Sequence, residues 1–571
     1  MKNEPIDLDP IVDLYYPSKE KRDACRAETV RRRDYPKDHI ADLQLEKLAG
    51  SLSTYYTKRT LDLLCEFCTD PEVINYRLDV LEDFRNVPKL GATVKKTVDI
   101  MLENDRKNIY KLSSPDSFSM LAEALEAFEA YVQCMEILHS FYAENREKLH
   151  SKGVNAMFSY FEEQYQSKHY IELKRECAEL RGMIKNRIRS VTVAINLDET
   201  LVPVSAGILE LSAEPYILKP SVLDRIIYHG ANFQSKKVLQ SARNKYNGKN
   251  MDGEKNVSAA DKALFEELSA LTDGYVMKIG EVLEEYQKIT LKDMYSISYQ
   301  LDLYLGMIDM ITLCENSGLK MCRPVITEGA TRIKGLFDPI YFREARTYNL
   351  HAKEKDKKPV VTNDITFGED ADFYILTGAN NGGKTTFVRA VGLCFAMAQA
   401  GLYVPAESCE LCPTDYIYTH FPKEEQTGIN ASRFTTEIKQ FRTISDTVTE
   451  RSLLFMNESI QSTTPKECVD IAAEMVKIFT SIGTRGIFAT HLLELADKVG
   501  ELNAQGVRSR LESLIVLTDE QTGERKYKVV RGRPSQQSFA KDILNEFGIS
   551  FEEISKRLKG KGKKQAFDKK R

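Results

Sequence analysis

The chain has 571 residues, of which 42% are hydrophobic and 29% charged, and its length exceeds what one hydrophobic core serves, so roughly three or four domains are expected. No stretch of about 18 uncharged apolar residues is present, which argues against a membrane-spanning helix. The formal net charge of −4 provides no global attraction to nucleic acid, so any such contact has to come from local basic patches.

Residues 1–38 form an N-terminal polar segment. Its opening, "MKNEPIDLDPIVDLYYPSKEK", has no apolar core behind its first basic residue and so lacks a secretory signal, which makes the cytoplasm the expected compartment. From 39 to 190 the pattern is helical, as in "ALEAFEAYVQCMEILHSFYAENREKL", where apolar residues recur every three or four positions with almost no Gly or Pro. At about 191 the period changes. "SVTVAINLDETLVPVSAGILELS" alternates β-branched and polar residues, and residues 191–261 read as a small β-containing insertion that ends in a loop at 244–261. A helical return over 262–320 keeps Leu264, Leu268, Leu271, Tyr275, Ile279 and Val282 on one side. Residues 321–555 alternate helices with short apolar runs, "FYILTG", "SLLFMNE" and "RGIFATH", the pattern of buried strands in a parallel α/β sheet with its chemistry at their C-terminal ends. A basic tail closes the chain at 556–571.

Eleven cysteines are scattered along the sequence, and reduced thiols are expected of them. Two C-x-x-C pairs, Cys65/Cys68 and Cys409/Cys412, could together offer four thiolates to zinc. They lie far apart without a neighbouring His or Gly-rich knuckle, so core or surface cysteines are the better reading.

The chemistry begins at Gly378. Gly378, Ala379, Asn380, Asn381, Gly382, Gly383, Lys384 and Thr385, followed by Thr386, fit G-x-x-x-x-G-K-[ST] between a strand and a helix, the context that pattern requires. Backbone N–H groups and the helix N-terminus then face a triphosphate, Lys384 reaches its outer phosphates, and the Thr385 hydroxyl can ligate Mg²⁺. ATP and Mg²⁺ are the expected ligands. In "SLLFMNES", Asn457 stands where an aspartate ordinarily holds hydrated Mg²⁺, and Glu458 is the group placed to orient or activate water. An amide accepts a hydrogen bond from metal-bound water without contributing charge, so slow turnover is expected. His491, at the end of "RGIFATH", is placed to contact the γ-phosphate, with a structural role as the alternative.

The order of these motifs resembles the ATPase of the MutS DNA mismatch-repair family, relatives of the ABC ATPases. The resemblance is carried by "RPVITEGATRIKGLFDPI", "VTNDI", "TGANNGGKTTFVRAVGLCFAMAQAGLYVPAESCEL" with its "YVPA" strand, "NASRFTTEI", "FMNESIQSTTP" and "GIFATHLLELA", in order over about 200 residues. It implies a multidomain α plus α/β protein: a long helical lever or arm with a small clamp-like β insertion, then a C-terminal ABC-like P-loop ATPase with a mostly parallel sheet. It implies a dimer, a homodimer in the simplest case, in which Ser432 faces the partner's nucleotide, against a plain helix cap as the alternative. Tyr527 falls where the family places a ring against adenine, against a core tyrosine. The family's mismatch-reading and connector domains do not fit ahead of residue 40, and no long nuclease extension follows the ATPase.

DNA, duplex or branched, is the partner the resemblance implies, with the tail "KRLKGKGKKQAFDKKR", the cluster Lys236, Lys237, Arg243, Lys245 and Lys249, and Arg31, Arg32 and Arg33 as candidate contacts. The leading expectation is an ATP-dependent DNA-binding protein of repair or recombination without direct mismatch reading. The alternative is a nucleotide-gated scaffold on ribosomes or a partner protein, with slow or no turnover.

Overall fold

The computed structural model describes residues 10–111, 117–172, 174–175, 178, 190–197, 199, 203–212, 291–379, 382–421, 433–460, 464–518, 525–533, 554–555 and 557. By chain compactness it divides into two units, one of residues 1–98, 138–161 and 293–571 and one of residues 99–137 and 162–292.

Described helices and strands follow one another as α1 (Lys19–Arg31), α2 (Asp38–Asp42), α3 (Leu45–Leu52), α4 (Thr57–Leu64), α5 (Pro71–Asn86), α6 (Pro88–Lys111), α7 (Ser117–Asn145), α8 (Lys152–Gln166), β1 (Ser190–Leu197), β2 (Pro203–Ser212) and α9 (Leu291–Glu315). The α/β part continues with β3 (Val325–Ile326), β4 (Thr331–Leu336), α10 (Pro339–Asn349), β5 (Asn363–Phe367), β6 (Phe373–Thr377), α11 (Lys384–Gln399), β7 (Ser408–Leu411), β8 (Ile417–His420), α12 (Arg433–Ser445), β9 (Leu453–Asn457), α13 (Pro465–Ile482), β10 (Arg485–Thr490), α14 (Leu493–Asp497), α15 (Val499–Ala504), β11 (Leu511–Thr518) and β12 (Arg525–Arg531).

Helix boundaries follow local chemistry. Asp70 caps α5 by accepting from the Glu72 N–H with Pro71 in the first turn, and Asp338 caps α10 by accepting from the Ile340 and Tyr341 N–H groups ahead of Pro339. Thr464 and Glu467 form a capping box at the start of α13, which Gly483 terminates in the left-handed conformation.

Six strands form the sheet that carries the chemistry, in the order β12-β11-β6-β10-β9-β8. Neighbours from β11 to β8 are parallel, and β12 alone runs antiparallel, against β11. Every residue of β6, β8 and β9 is buried, as expected of strands covered on both faces. The mostly parallel sheet is therefore present. A second, four-stranded sheet, β3-β7-β4-β5, is one that the apolar runs do not announce. Its strands alternate buried and exposed residues, for example in β4, because only one face meets the core. "YVPA" is not itself a strand: Val404 makes one isolated bridge to Cys322, and pairing begins at Ser408.

In the same unit the N-terminal helices pack on α9. Leu14 N–H donates to Gln300 Oε1 at 2.7 Å, Tyr304 O–H donates to the Leu14 carbonyl at 2.9 Å, and Phe84 stacks on Tyr304 at 5.7 Å. Residues 19–31, within the stretch read as polar, form helix α1.

The other unit holds the antiparallel hairpin β1–β2, registered from Ser190 opposite Ser212 to Asn196 opposite Ser205. Its alternating pattern thus forms the expected β element. The loop at 244–261, the apolar stripe from Leu264 to Val282 and the basic cluster from Lys236 to Lys249 lie outside the described residues. No described helix is long and apolar enough to cross a membrane.

Candidate functional site

The site is built at the C-terminal ends of β6, β10 and β9, which lie side by side in the sheet. β6 ends at Thr377, and the chain turns through Gly378 at φ +154° and Gly383 at φ +95° before α11 starts at Lys384. Backbone conformations in this range are open chiefly to glycine. They aim the first turn of α11 at the strand ends, where unpaired N–H groups and the helix dipole favour an anion.

Lys384 is buried, and its Nζ donates to the Gly378 carbonyl at 2.9 Å and the Ala379 carbonyl at 3.2 Å. Glu458 Oε1 lies 3.7 Å from the same nitrogen. Burial pulls the Lys384 ammonium below the usual lysine range, and Glu458 opposes that pull. Thr385, exposed at the next position, donates from Oγ1 to Asn457 Oδ1 at 3.3 Å. Thr386 is half-buried beside it.

Glu458 follows Asn457 at the end of β9 with φ +47°, and Ile460 has φ +63°. Left-handed geometry costs a non-glycine residue about 1–2 kcal/mol. At Glu458 it is held by the N–H, which donates to the Ala489 carbonyl of β10 at 2.7 Å. His491 stands exposed just past β10.

Tyr527 on β12 has φ +52°, and its Cδ1 would lie 3.2 Å from a Cβ placed on Gly383. The ring therefore sits against the end of the phosphate loop. Asn380, Asn381 and Ser432 lie outside the described residues.

Three supporting contacts involve residues that motif reading does not single out. Asn363 of β5 donates from Nδ2 to the Tyr527 carbonyl at 3.2 Å and accepts from the Val529 N–H at 2.7 Å, pinning β12 around Tyr527. Asp338 receives Arg389 of α11, with Nε at 2.6 Å; burial pushes the carboxyl up and the guanidinium opposes it. His420, ending β8, meets Ser459 Oγ at 2.7 Å and Gln440 Oε1 of α12 at 3.0 Å, and stacks on Phe441 at 4.4 Å. That histidine joins the loop after Glu458 to the helix that follows Ser432. The D-P pair at 338–339 was a readable cap signal, whereas the Asn363 and His420 contacts are long-range and carry no local signature.

Of the basic residues near the N-terminus, Arg31 pairs with Glu28 at 2.6 Å, Arg33 pairs with Asp34 at 3.3 Å, and Arg32 donates to the Glu66 carbonyl at 3.1 Å with little exposure. Arg31 and Arg33 remain largely exposed despite these pairs, whereas the Arg32 side chain is mostly covered.

Residues 374–549 match the family profile described as MutS domain V, and residues 69–316 match the MutS2 N-terminal domain. Among curated relatives, a DNA mismatch repair protein MutS from Chlorobaculum tepidum is 31% identical over 241 residues, 41% of this chain and 25% of that protein. A protein of the same name from Dehalococcoides mccartyi is 35% identical over 168 residues, 29% of this chain and 19% of that protein. An Endonuclease MutS2 from Clostridioides difficile is 32% identical over 202 residues, 35% of this chain and 25% of that protein. The chain thus spans a quarter or less of the length of these three relatives.

Proposed function

The chain belongs to the MutS family, and from that premise we propose that it is a DNA-binding ATPase whose nucleotide cycle clamps duplex or branched DNA without direct mismatch reading. The observation that carries the proposal is the convergence, at the strand ends, of Thr385 on Asn457 at 3.3 Å and of Lys384 on Glu458 at 3.7 Å.

The residues suit ATP with Mg²⁺. Glycines shape the loop, a buried ammonium waits behind it, and an exposed hydroxyl is already directed at an acceptor. Thr385 would hold Mg²⁺ directly and Asn457 through a water. The ion, when bound, supplies charge neutralisation at the β- and γ-phosphate oxygens. Lys384 exchanges the Gly378 and Ala379 carbonyls for phosphate oxygens. Glu458 accepts the proton of the attacking water, His491 contacts the γ-phosphate, and Tyr527 packs on the adenine. Ser432 of a second copy completes the phosphate cage, which makes a dimer the working form.

The proposal is tested by binding of homoduplex, mismatched and four-way DNA, and by ATP hydrolysis with and without each. ATP-dependent retention of DNA with similar affinity for homoduplex and mismatch is expected. Strong mismatch preference, or no DNA binding at moderate salt, overturns it. The uncharged Asn457 supports a second reading, a nucleotide-gated scaffold on ribosomes or a partner protein; ATP binding with hydrolysis at background in every condition favours that one.

A further inference from the structure

At the end of α11 farthest from the phosphate loop, Cys25 of α1 and Cys68, between α4 and α5, bring their sulfurs to 3.7 Å. The spacing in sequence pairs Cys68 with Cys65, but its thiol contact is with a residue 43 positions away. Glu66 has a carboxylate oxygen within 4.8 Å of both sulfurs, so the trio has the donor atoms of a metal site. Its carboxylate is already committed: Oε1 accepts from Arg77 Nη2 at 2.8 Å, Oε2 accepts from the Tyr16 hydroxyl, and Arg77 is wholly buried. A metal ion would have to take that carboxylate from a buried guanidinium, and no fourth His, Cys, Asp or Glu joins the group among the described residues. Apart from each other, the sulfurs have only a weak contact, from Cys68 to the Asp70 carbonyl at 3.9 Å.

Donation from Cys25 and the charge of Arg77 hold the Cys68 thiol below the usual range, against its burial. Cys25 is partly buried and Cys68 buried, with both sulfurs enclosed, so the reagent has to be small.

We propose that Cys25 and Cys68 form a redox modification site, oxidised by hydrogen peroxide to an intramolecular disulfide. The Cys68 thiolate attacks the peroxide, an S–O bond forms as the O–O bond breaks, and the departing oxygen leaves as water after taking a proton. The Cys25 sulfur then attacks the sulfenic acid; an S–S bond forms, the S–O bond breaks, and the thiol proton leaves with the hydroxide as a second water. Two electrons pass from the thiols to the peroxide. The sulfurs must approach by about 1.7 Å to reach bonding distance.

The bond would tie α1 to a segment that already holds α11. Gln399, the last residue of α11, donates from Nε2 to the Cys68 carbonyl at 3.0 Å and to the Thr414 carbonyl at 2.7 Å. Just beyond it Gly401, at φ +74°, lies so close to Arg77 that a Cβ there would come within 2.2 Å of the arginine Cβ.

The test treats the reduced full chain with hydrogen peroxide, alkylates the remaining thiols without reductant, and maps the digest by mass spectrometry. A peptide joining Cys25 to Cys68 is expected, reversed by dithiothreitol and absent from Cys25→Ala and Cys68→Ala. The same oxidation should raise the thermal midpoint of the unmodified sequence by roughly 5 °C, a readout that needs neither variant nor nucleotide. Recovery of both cysteines separately alkylated overturns the proposal. So does an equal yield of a link between Cys394 and Cys409, two other buried cysteines, since oxidation would then follow general thiol reactivity and not this pairing. Stoichiometric zinc in the freshly purified protein, with Co²⁺–thiolate absorption lost in Cys25→Ala, overturns it in favour of a metal site.

Discussion

Asn457 and Glu458 divide two tasks between an uncharged and a charged group. The Asn457 amide can orient a metal-bound water but adds nothing to the attraction for a divalent cation, whereas Glu458 is held by its 2.7 Å backbone contact to Ala489 close to Lys384. Asn457→Asp should lower the Mg²⁺ concentration for half-maximal hydrolysis by roughly tenfold, because site charge sets cation affinity. Glu458→Gln should leave ATP binding within about twofold and cut turnover by at least ~100-fold. Steady-state kinetics across a Mg²⁺ titration, with equilibrium binding of a fluorescent ATP analogue, check both. Unchanged turnover in Glu458→Gln would remove that residue from the chemistry. The phosphate loop was legible because strand, glycines, lysine, hydroxyl and helix are contiguous. Asn363, Asp338 and His420 act from segments remote in sequence, and only the fold brings them to β12, to α11 and to Ser459.

Among elements, the short helix α2 is held against β8 by aromatic packing. His39 meets Phe67 at 5.3 Å and Tyr416 at 5.2 Å and is buried. Burial lowers its pKa from 6.5 to about 4. Between those values the unfolded chain binds the proton and the folded chain does not, so stability is full above the unfolded value and falls as pH drops toward 4. The loss attributable to His39 approaches about 3 kcal/mol across that window. Urea unfolding at pH 7.0 and 4.5 should show it, and His39→Phe should shrink the difference by a few kcal/mol unless ring replacement disturbs packing, which the pH 7.0 value reports separately. Periodicity made the helices and buried strands legible. The four-stranded sheet was harder to read, because β3 has two residues and β7 four, too few for an alternating pattern to stand out.

For the whole molecule, the joint between the N-terminal helices and the six-stranded sheet decides whether they behave as one body. Residues 10–98 share a compact unit with the part that matches MutS domain V, and Arg77 stands at their junction with no solvent exposure. Its guanidinium donates to Glu66 Oε1 at 2.8 Å, to the Tyr15 carbonyl at 2.8 Å and to the Gln399 carbonyl at 3.5 Å, and it stacks over the Tyr16 ring at 4.6 Å. Removing one partner from such a pair strands the other in low dielectric, at a cost of about 3–5 kcal/mol. Arg77→Ala should therefore lower the unfolding midpoint strongly and, because the guanidinium contacts the last turn of α11, also weaken nucleotide binding at its first turn. Arg77→Met tests whether volume alone suffices: it fills much of the space, leaves Glu66 buried and unpaired, and should recover little. The double variant Arg77→Met with Glu66→Gln removes the stranded charge and should recover stability above either single variant. Denaturation of the unmodified chain, Arg77→Met, Glu66→Gln and the double variant, with and without ATP, closes the cycle; additive losses would show that Arg77 and Glu66 act independently, and the joint would then rest on packing.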